Sequence, residues 1–183
     1  TNAIMSMKDM QYRIVRIENM KIVGVNASKF TSTDDISPTD VVRLLEAYHS
    51  QSIKATFTVM LEARNPNDGS VAGTKPLDLT LKELPWTLFV DDRKVVSGNI
   101  QQEVALSGGG TSAPIPVYVS MDVSKVFFDK GYEEIMKAML AIGGVNGSPG
   151  SLKIKARPTV STPYGIMKSP NDITIVATEF TGR

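Results

Sequence analysis

The chain has 183 residues, with 20 basic and 19 acidic side chains, a formal net charge of +1, one histidine and no cysteine. So balanced a charge removes the electrostatic argument for nucleic acid or an anionic membrane surface as partner, and the missing thiols exclude disulfides, thiolate zinc sites and a cysteine nucleophile. The length suits one domain able to bury a core without staples, and no apolar run approaches the roughly 20 residues of a membrane-spanning helix.

Residues 1–10, where Met5, Met7 and Met10 stand among polar neighbours, have no period and read as a loose lead-in to a single domain covering 1–183. Tyr12 to Ile17 and Met20 to Val25 are β-branched runs parted by Glu18-Asn19, which predicts two strand segments. Ser37-Pro38-Thr39-Asp40 then supplies a capping hydroxyl, a proline suited to the first helical position and an acid at the positive end of the dipole. Val41, Leu44, Leu45 and Tyr48 follow at helical spacing, so an amphipathic helix over about 38–49 is expected.

From Ile53 to Arg64 odd positions are apolar and nearly all even ones polar, the pattern of a half-buried strand. Burying Ile53, Phe57, Val59 and Leu61 is worth roughly 1.5 to 3 kcal/mol each before entropy, so Phe57→Asp is expected to abolish the fold. The strand ends in the turn Asn65-Pro66-Asn67-Asp68-Gly69. Leu77, Leu79 and Leu81 alternate with polar residues, as do Trp86, Leu88 and Val90, and the intervening Leu84-Pro85 marks a bulge or an edge because proline cannot donate to a ladder. Asp91-Asp92 forms a tight turn into Lys94 to Gly98, and Ile100 to Leu106 reads as a further strand.

Ser107 to Ser112, with three consecutive glycines, is a flexible connection, after which Ile115, Val117, Val119 and Met121 resume a strand. A second helical region covers about 122–142, capped by Asp122 and weakened at Gly131, where glycine costs about 1 kcal/mol relative to alanine. Gly143-Gly144 stops it. Leu152, Ile154 and Ala156 make one more strand, and Ile173, Ile175 and Ala177 the last.

The residues offer little chemistry. His49 is the sole histidine, so a Ser-His-Asp arrangement lacks partners and its place at a helix end reads as capping. Asp34-Asp35, Asp91-Asp92 and Glu133-Glu134 are paired carboxylates, but neighbours along a strand face opposite ways and Asp91-Asp92 is better as a turn. Asn65 to Gly69 lacks the ligand spacing of a calcium loop. Gly108-Gly109-Gly110 has no Lys-Ser or Lys-Thr pair and no strand-to-helix unit for a phosphate. Lys153, Lys155 and Arg157 read as the solvated face of a strand. Trp86 and Tyr118 are candidate carbohydrate platforms whose strand contexts favour core or half-buried packing, and Met136, Met139 and Leu140 fit helix-to-sheet packing better than a partner groove. No catalytic, cofactor-binding or metal-binding residue is assigned.

Phe57 through Asn67, the hairpin Val90 to Gly98, Ile115 to Val119 before a helix, and Arg157-Pro158 through Pro163-Tyr164-Gly165 to Pro170 together resemble the late embryogenesis abundant type 2 family, which contains the water stress and hypersensitive response domain. The resemblance covers about residues 17–180. It implies a mainly β, immunoglobulin-like or fibronectin-like antiparallel sandwich with the helices at about 38–49 and 122–142 as accessories. It also implies a non-enzymatic protein acting by protein contact or stress protection, associated with the cell envelope or periplasm as bacterial members are, with a protein partner still to be identified. The start at Thr1 without methionine suggests an upstream segment, and a lipoprotein anchor there is expected. The alternatives are a small-ligand or glycan-binding module using a cleft between sheet and helix, and a cytoplasmic location.

Overall fold

The computed structural model describes residues 7–182. Four strands, β1 (Gln11–Ile22), β2 (Val25–Asn26), β3 (Lys54–Arg64) and β8 (Ile115–Asp122), form an antiparallel sheet in the order β2-β1-β3-β8. The two segments expected between Tyr12 and Val25 fall mostly within a single strand. Its ladder with β3 slips between Glu18 and Lys21, and Asn19 takes φ 57 there, so the polar pair that seemed to end a strand makes a bulge inside one.

The remaining strands are β4 (Leu79–Glu83), β5 (Trp86–Val90), β6 (Arg93–Gly98), β7 (Val104–Leu106), β9 (Leu152–Ala156), β10 (Thr159–Thr162), β11 (Gly165–Lys168) and β12 (Ile173–Ile175). They form two more antiparallel sheets, ordered β11-β10-β4-β7 and β12-β9-β5-β6. These are two halves of one creased surface. The run β4–β5 pairs along its length with β9–β10, Glu83 against Thr159 on one side of the crease and Trp86 against Ala156 on the other. Pro85 and Pro158 both fall in the crease, where Arg157 N–H still donates to the Pro85 carbonyl (3.1 Å) and the Asn99 side chain accepts from Leu84 N–H (2.8 Å). Two prolines without amide hydrogens break the ladder at one line across neighbouring strands. The same line shortens the strand expected over Ile100 to Leu106 to β7, because 99–103 cross the crease.

Inner faces of all these sheets meet in one apolar cluster that includes Ile14, Phe57, Leu61, Leu81, Leu88, Val117, Ile154 and Ile175. The result is the expected mainly β antiparallel sandwich with accessory helices. The Asp91-Asp92 turn has φ 48 and 63, the left-handed pair that a two-residue hairpin turn requires.

Helix α1 (Pro38–His49) begins as the sequence predicts, with Ser37 Oγ accepting from Asp40 N–H at 3.2 Å. The second helical region is two helices, α2 (Val123–Val126) and α3 (Tyr132–Gly143). Asp122 caps the first, accepting from Ser124 N–H and from Ile53 N–H at 3.1 Å each. The break follows because Phe127 turns fully into the core while Arg93 donates to the Val126 carbonyl (2.9 Å) and clasps Asp129 at 2.7 and 2.9 Å. Helix α3 lies on β1, with Gly143 so close to Met20 that a Cβ there would stand 2.5 Å from its methyl carbon.

Past Ile175 the chain leaves β12 and runs beside β1, Ile14 N–H donating to Val176 and Tyr12 exchanging bonds with Thr181 at 2.8 and 2.9 Å. Ala177, expected on the last strand, belongs to this closing segment. Phe180 is held there between the Arg13 and Arg64 guanidiniums, 4.6 and 4.2 Å from its ring centroid. Of the expected lead-in, residues 1–6 lie outside the described residues.

Candidate functional site

Most of the side chains singled out in the sequence have structural duties. His49 is exposed on the last turn of α1, its ring 5.5 Å from Tyr48. Asp35 accepts from Thr31 N–H and Oγ1 (2.7 and 2.6 Å) and Ser32 N–H (3.3 Å), bonds that hold its carboxyl below the usual range, the Thr31 hydroxyl contributing most. Asp92 pairs with Lys153 at 3.0 Å, and Glu133 and Glu134 occupy the first turn of α3, where the dipole favours them. Lys155 covers the ring of Phe89 and Arg157 binds Asp172 at 3.1 Å. Met136, Met139 and Leu140 are buried in the core. Among the described residues no three of the His, Cys, Asp and Glu side chains gather as a metal site would require.

The two candidate platforms, Trp86 and Tyr118, separate, and Phe89 lies between them in exposure. Trp86 is buried and Phe89 half-buried, whereas Tyr118 is 60% exposed, against the expectation from its strand. The alternation that buries Val117 and Val119 turns Tyr118 outward from β8, beside an open depression of about 850 Å³ between 100–105 and 112–116.

Asn65 is the most heavily used polar side chain. Fully buried, it donates to the carbonyls of Leu77 (2.7 Å) and Leu106 (3.2 Å) and accepts from Asn67 N–H (3.1 Å) and Nδ2 (3.0 Å). Its backbone bonds Gly109 N–H and the Gly110 carbonyl at 2.8 and 2.9 Å. The glycine run is therefore a docked loop. A Cβ on Gly108 would collide with the Asn67 carbonyl and lie 2.7 Å from Leu77 N, and Gly109 has φ +82. Asn67 in turn holds the incoming chain, accepting from Lys8 N–H (2.7 Å) and donating to the Lys8 carbonyl (2.8 Å).

Beside this strap, where β1 begins, a cleft of about 390 Å³ opens beneath the β10–β11 hairpin. Leu79, Val160 and Ile173 give it apolar walls, Lys8, Lys168 and Asp172 stand among its polar lining, and it reaches Tyr12. The Tyr12 side chain is fully buried and its hydroxyl has no hydrogen-bond partner. An unmade bond on a buried donor costs about 1 to 3 kcal/mol, a cost shared among the described residues by the Trp86 indole N–H and the Tyr132 hydroxyl. Burial, with a smaller push from the Asp9 charge, raises its pKa, so the phenol keeps its proton and remains a donor.

The hairpin forming one side of the cleft was not predicted. Thr159-Val160-Ser161-Thr162 has the β-branched content of a strand and Pro163-Tyr164-Gly165 the residues of a turn, signals masked by the prolines around them. Tyr164, Ile166 and Met167 are exposed by 55, 69 and 43%. Strand β11 pairs with β10 alone and is the edge of its sheet.

No family model and no curated protein matches the chain. Among solved structures, a protein from Archaeoglobus fulgidus is 10% identical with TM-score 0.34, covering 83% of this chain and 88% of its own. A candidate ApaA protein from Bordetella pertussis is 9% identical with TM-score 0.37 over 94% of this chain and 98% of its own. A protein described as a candidate late embryogenesis abundant protein is 11% identical with TM-score 0.32, over 96% and 76% of the two chains. At such scores these likenesses carry no argument about function, and the sandwich stands on its own sheets.

Proposed function

We propose that this is a non-enzymatic β-sandwich protein of the cell envelope that acts by contact with other proteins and protects them under stress, as its resemblance to type 2 late embryogenesis abundant proteins implies. One observation carries the contact reading: Tyr164, Ile166 and Met167 stand exposed together on a hairpin whose outer strand is a sheet edge. Solvent-facing apolar groups beside unpaired backbone donors and acceptors invite a partner strand, and proteins normally blunt such edges. Here Lys168 is the only charge on β10 and β11.

Drying a labile enzyme with the wild-type protein and with the Ile166→Lys, Met167→Lys double variant tests the reading. The wild type should preserve more activity than serum albumin does, and the variant should lose that advantage. Equal recovery with albumin, or with the variant, removes it. Envelope placement is tested separately by fractionating cells that make the full-length precursor; recovery in the cytoplasm removes that element alone. Among the described residues no helix is long and apolar enough to cross a membrane; the attachment in this reading is a lipid anchor, which the resemblance alone supports.

A further inference from the structure

We propose that two copies of this chain join through strand β8, antiparallel about a two-fold axis at Val119, so that the β2-β1-β3-β8 sheet runs on into its counterpart. This goes beyond the contact reading, which rests on the hairpin edge at β11.

Length and charge single out β8 among the sheet edges. It has eight residues, against two in β2, three in β7 and β12, four in β11 and six in β6, which carries Arg93 and Lys94. A long edge is normally blunted by charge, proline or a bulge. The β8 ladder with β3 has no bulge, no charge lies between Ile115 and Met121, and Pro116 is the one proline. Strand β6 comes near from the other layer without sharing a ladder.

The backbone groups left over follow from β3. Ser112 N–H donates to the Ala63 carbonyl and Val123 N–H to that of Ile53, so the odd residues of β3 bond toward β8. Through the register, Ile115, Val117, Val119 and Met121 bond back. The Tyr118 and Ser120 amides and the carbonyls of Pro116, Tyr118 and Ser120 therefore face away, and none has a backbone partner among the described residues.

These groups fit a second copy of themselves. With the axis at Val119, Tyr118 and Ser120 of opposite copies exchange bonds in both directions, and Asp122 N–H meets the Pro116 carbonyl. Pro116, which has no N–H, then faces the Asp122 carbonyl, and a helix N-cap uses that carbonyl in its own first turn. Sliding the pairing one step either way leaves the Ser120 carbonyl or the Tyr118 N–H unmatched. Asp122, the only charge on the strand, meets proline and not a like charge. Side chains agree: small Ser120 lies opposite Tyr118, which is 60% exposed, and the two tyrosines stand diagonally on one face, within aromatic reach.

Sedimentation of the full chain should show monomer and dimer in equilibrium with a micromolar constant, as a small interface gives. Ser120→Pro removes an outward amide and keeps the bonds to β3, so it should unfold near the wild-type temperature and weaken the dimer at least about tenfold. The Ile166→Lys, Met167→Lys double variant should dimerise as wild type does. Because the chain has no cysteine, Tyr118→Cys and Ser120→Cys each carry a single thiol. Mixed and oxidised with glutathione disulfide, they should cross-link to each other faster than either does to itself. Directly opposed Cα atoms about 5.5 Å apart suit a disulfide, whereas diagonal ones do not. Should Ser120→Pro fail to fold, this cross-linking decides alone. A monomer at every concentration overturns the proposal, and is the result expected if the edge takes a strand of another protein instead. So does a dimer that survives Ser120→Pro or is lost in the hairpin variant, or cross-linking no faster in the mixture.

Discussion

Strand β1 joins two ends of the sandwich that are finished differently. Where it stops, at Met20 and Ile22, helix α3 lies across it with Ile135, Met136, Met139 and Leu140 buried, and Tyr132 meets Tyr48 of α1 edge to face at 6.1 Å. Where it starts, at Tyr12, a strap pinned by Asn67 and a hairpin lie beside the opening, and a cleft, an unmatched hydroxyl and exposed apolar side chains remain. Among the described residues the helical end too exposes Val42, Phe128 and Val145 and leaves the Tyr132 hydroxyl unmatched, so what sets the other end apart is its cleft beneath a hairpin whose outer strand is a sheet edge. Binding surfaces belong where such features are left open.

Variants can break that contrast. The largest loss should come from neither end: Phe57→Asp puts a carboxylate on the inner face of β3, where the residue is only 3% exposed, and no cooperative thermal transition should remain. A near-native melting curve would show the inner face misassigned. Met139→Ala at the helical end should cost about 2 to 5 kcal/mol in denaturant unfolding, as truncation of a buried methionine does. Asn65→Ala, beneath the open end, should cost about 3 kcal/mol by stranding the Leu77 and Leu106 carbonyls. Proteolysis should then find 107–112 and the residue 8 strap before other segments; uniform resistance would mean the loop is docked by something else.

Ile166→Ser on the hairpin should change stability by no more than about 0.5 kcal/mol, the value for a surface site. A cost like that of Met139→Ala would erase the distinction between the ends. The smallest effect concerns pH. The Arg93 guanidinium, chiefly through its hydrogen bonds, lowers the Asp129 carboxyl to about 2. A carboxyl depressed on folding stabilises above its unfolded pKa of about 4 and loses that contribution as pH falls through its folded value. Amide protection, the exchange rate divided by the intrinsic rate at the same pH, should therefore fall around 126–132 between about pH 4 and pH 2 while that of β10 and β11 stays unchanged, and Asp129→Asn should remove the difference.

Much of this was legible in the chain. Helix α1 announced itself through Ser37, Pro38 and a regular stripe, and β3 and β8 through strict alternation, because these signals are local. The glycine run looked like a tether since nothing nearby reveals that Asn65, more than forty positions away, takes the Leu106 carbonyl and binds Gly109 and Gly110 through its backbone. Glu18-Asn19 looked like a strand end because a bulge and a turn use the same residues. Tyr118 was misplaced for want of knowing which face of β8 was covered. The candidate site was the least legible region: its walls come from β1, β4, β10 and β12, and the hairpin beside it lay hidden among prolines.

Local pattern by itself determined that this chain makes alternating strands, where Pro85 interrupts them, where α1 begins, and that cysteine chemistry and multi-histidine metal sites are closed to it. Tertiary structure alone decided that Pro85 and Pro158 share one crease, that Asn65 organises the loops, and that Tyr12 borders a cavity with its hydroxyl unmatched. The reason is physical. Periodicity and capping are properties of neighbouring residues, whereas a cavity and an unpaired donor depend on which distant segments arrive and which groups they leave without a partner.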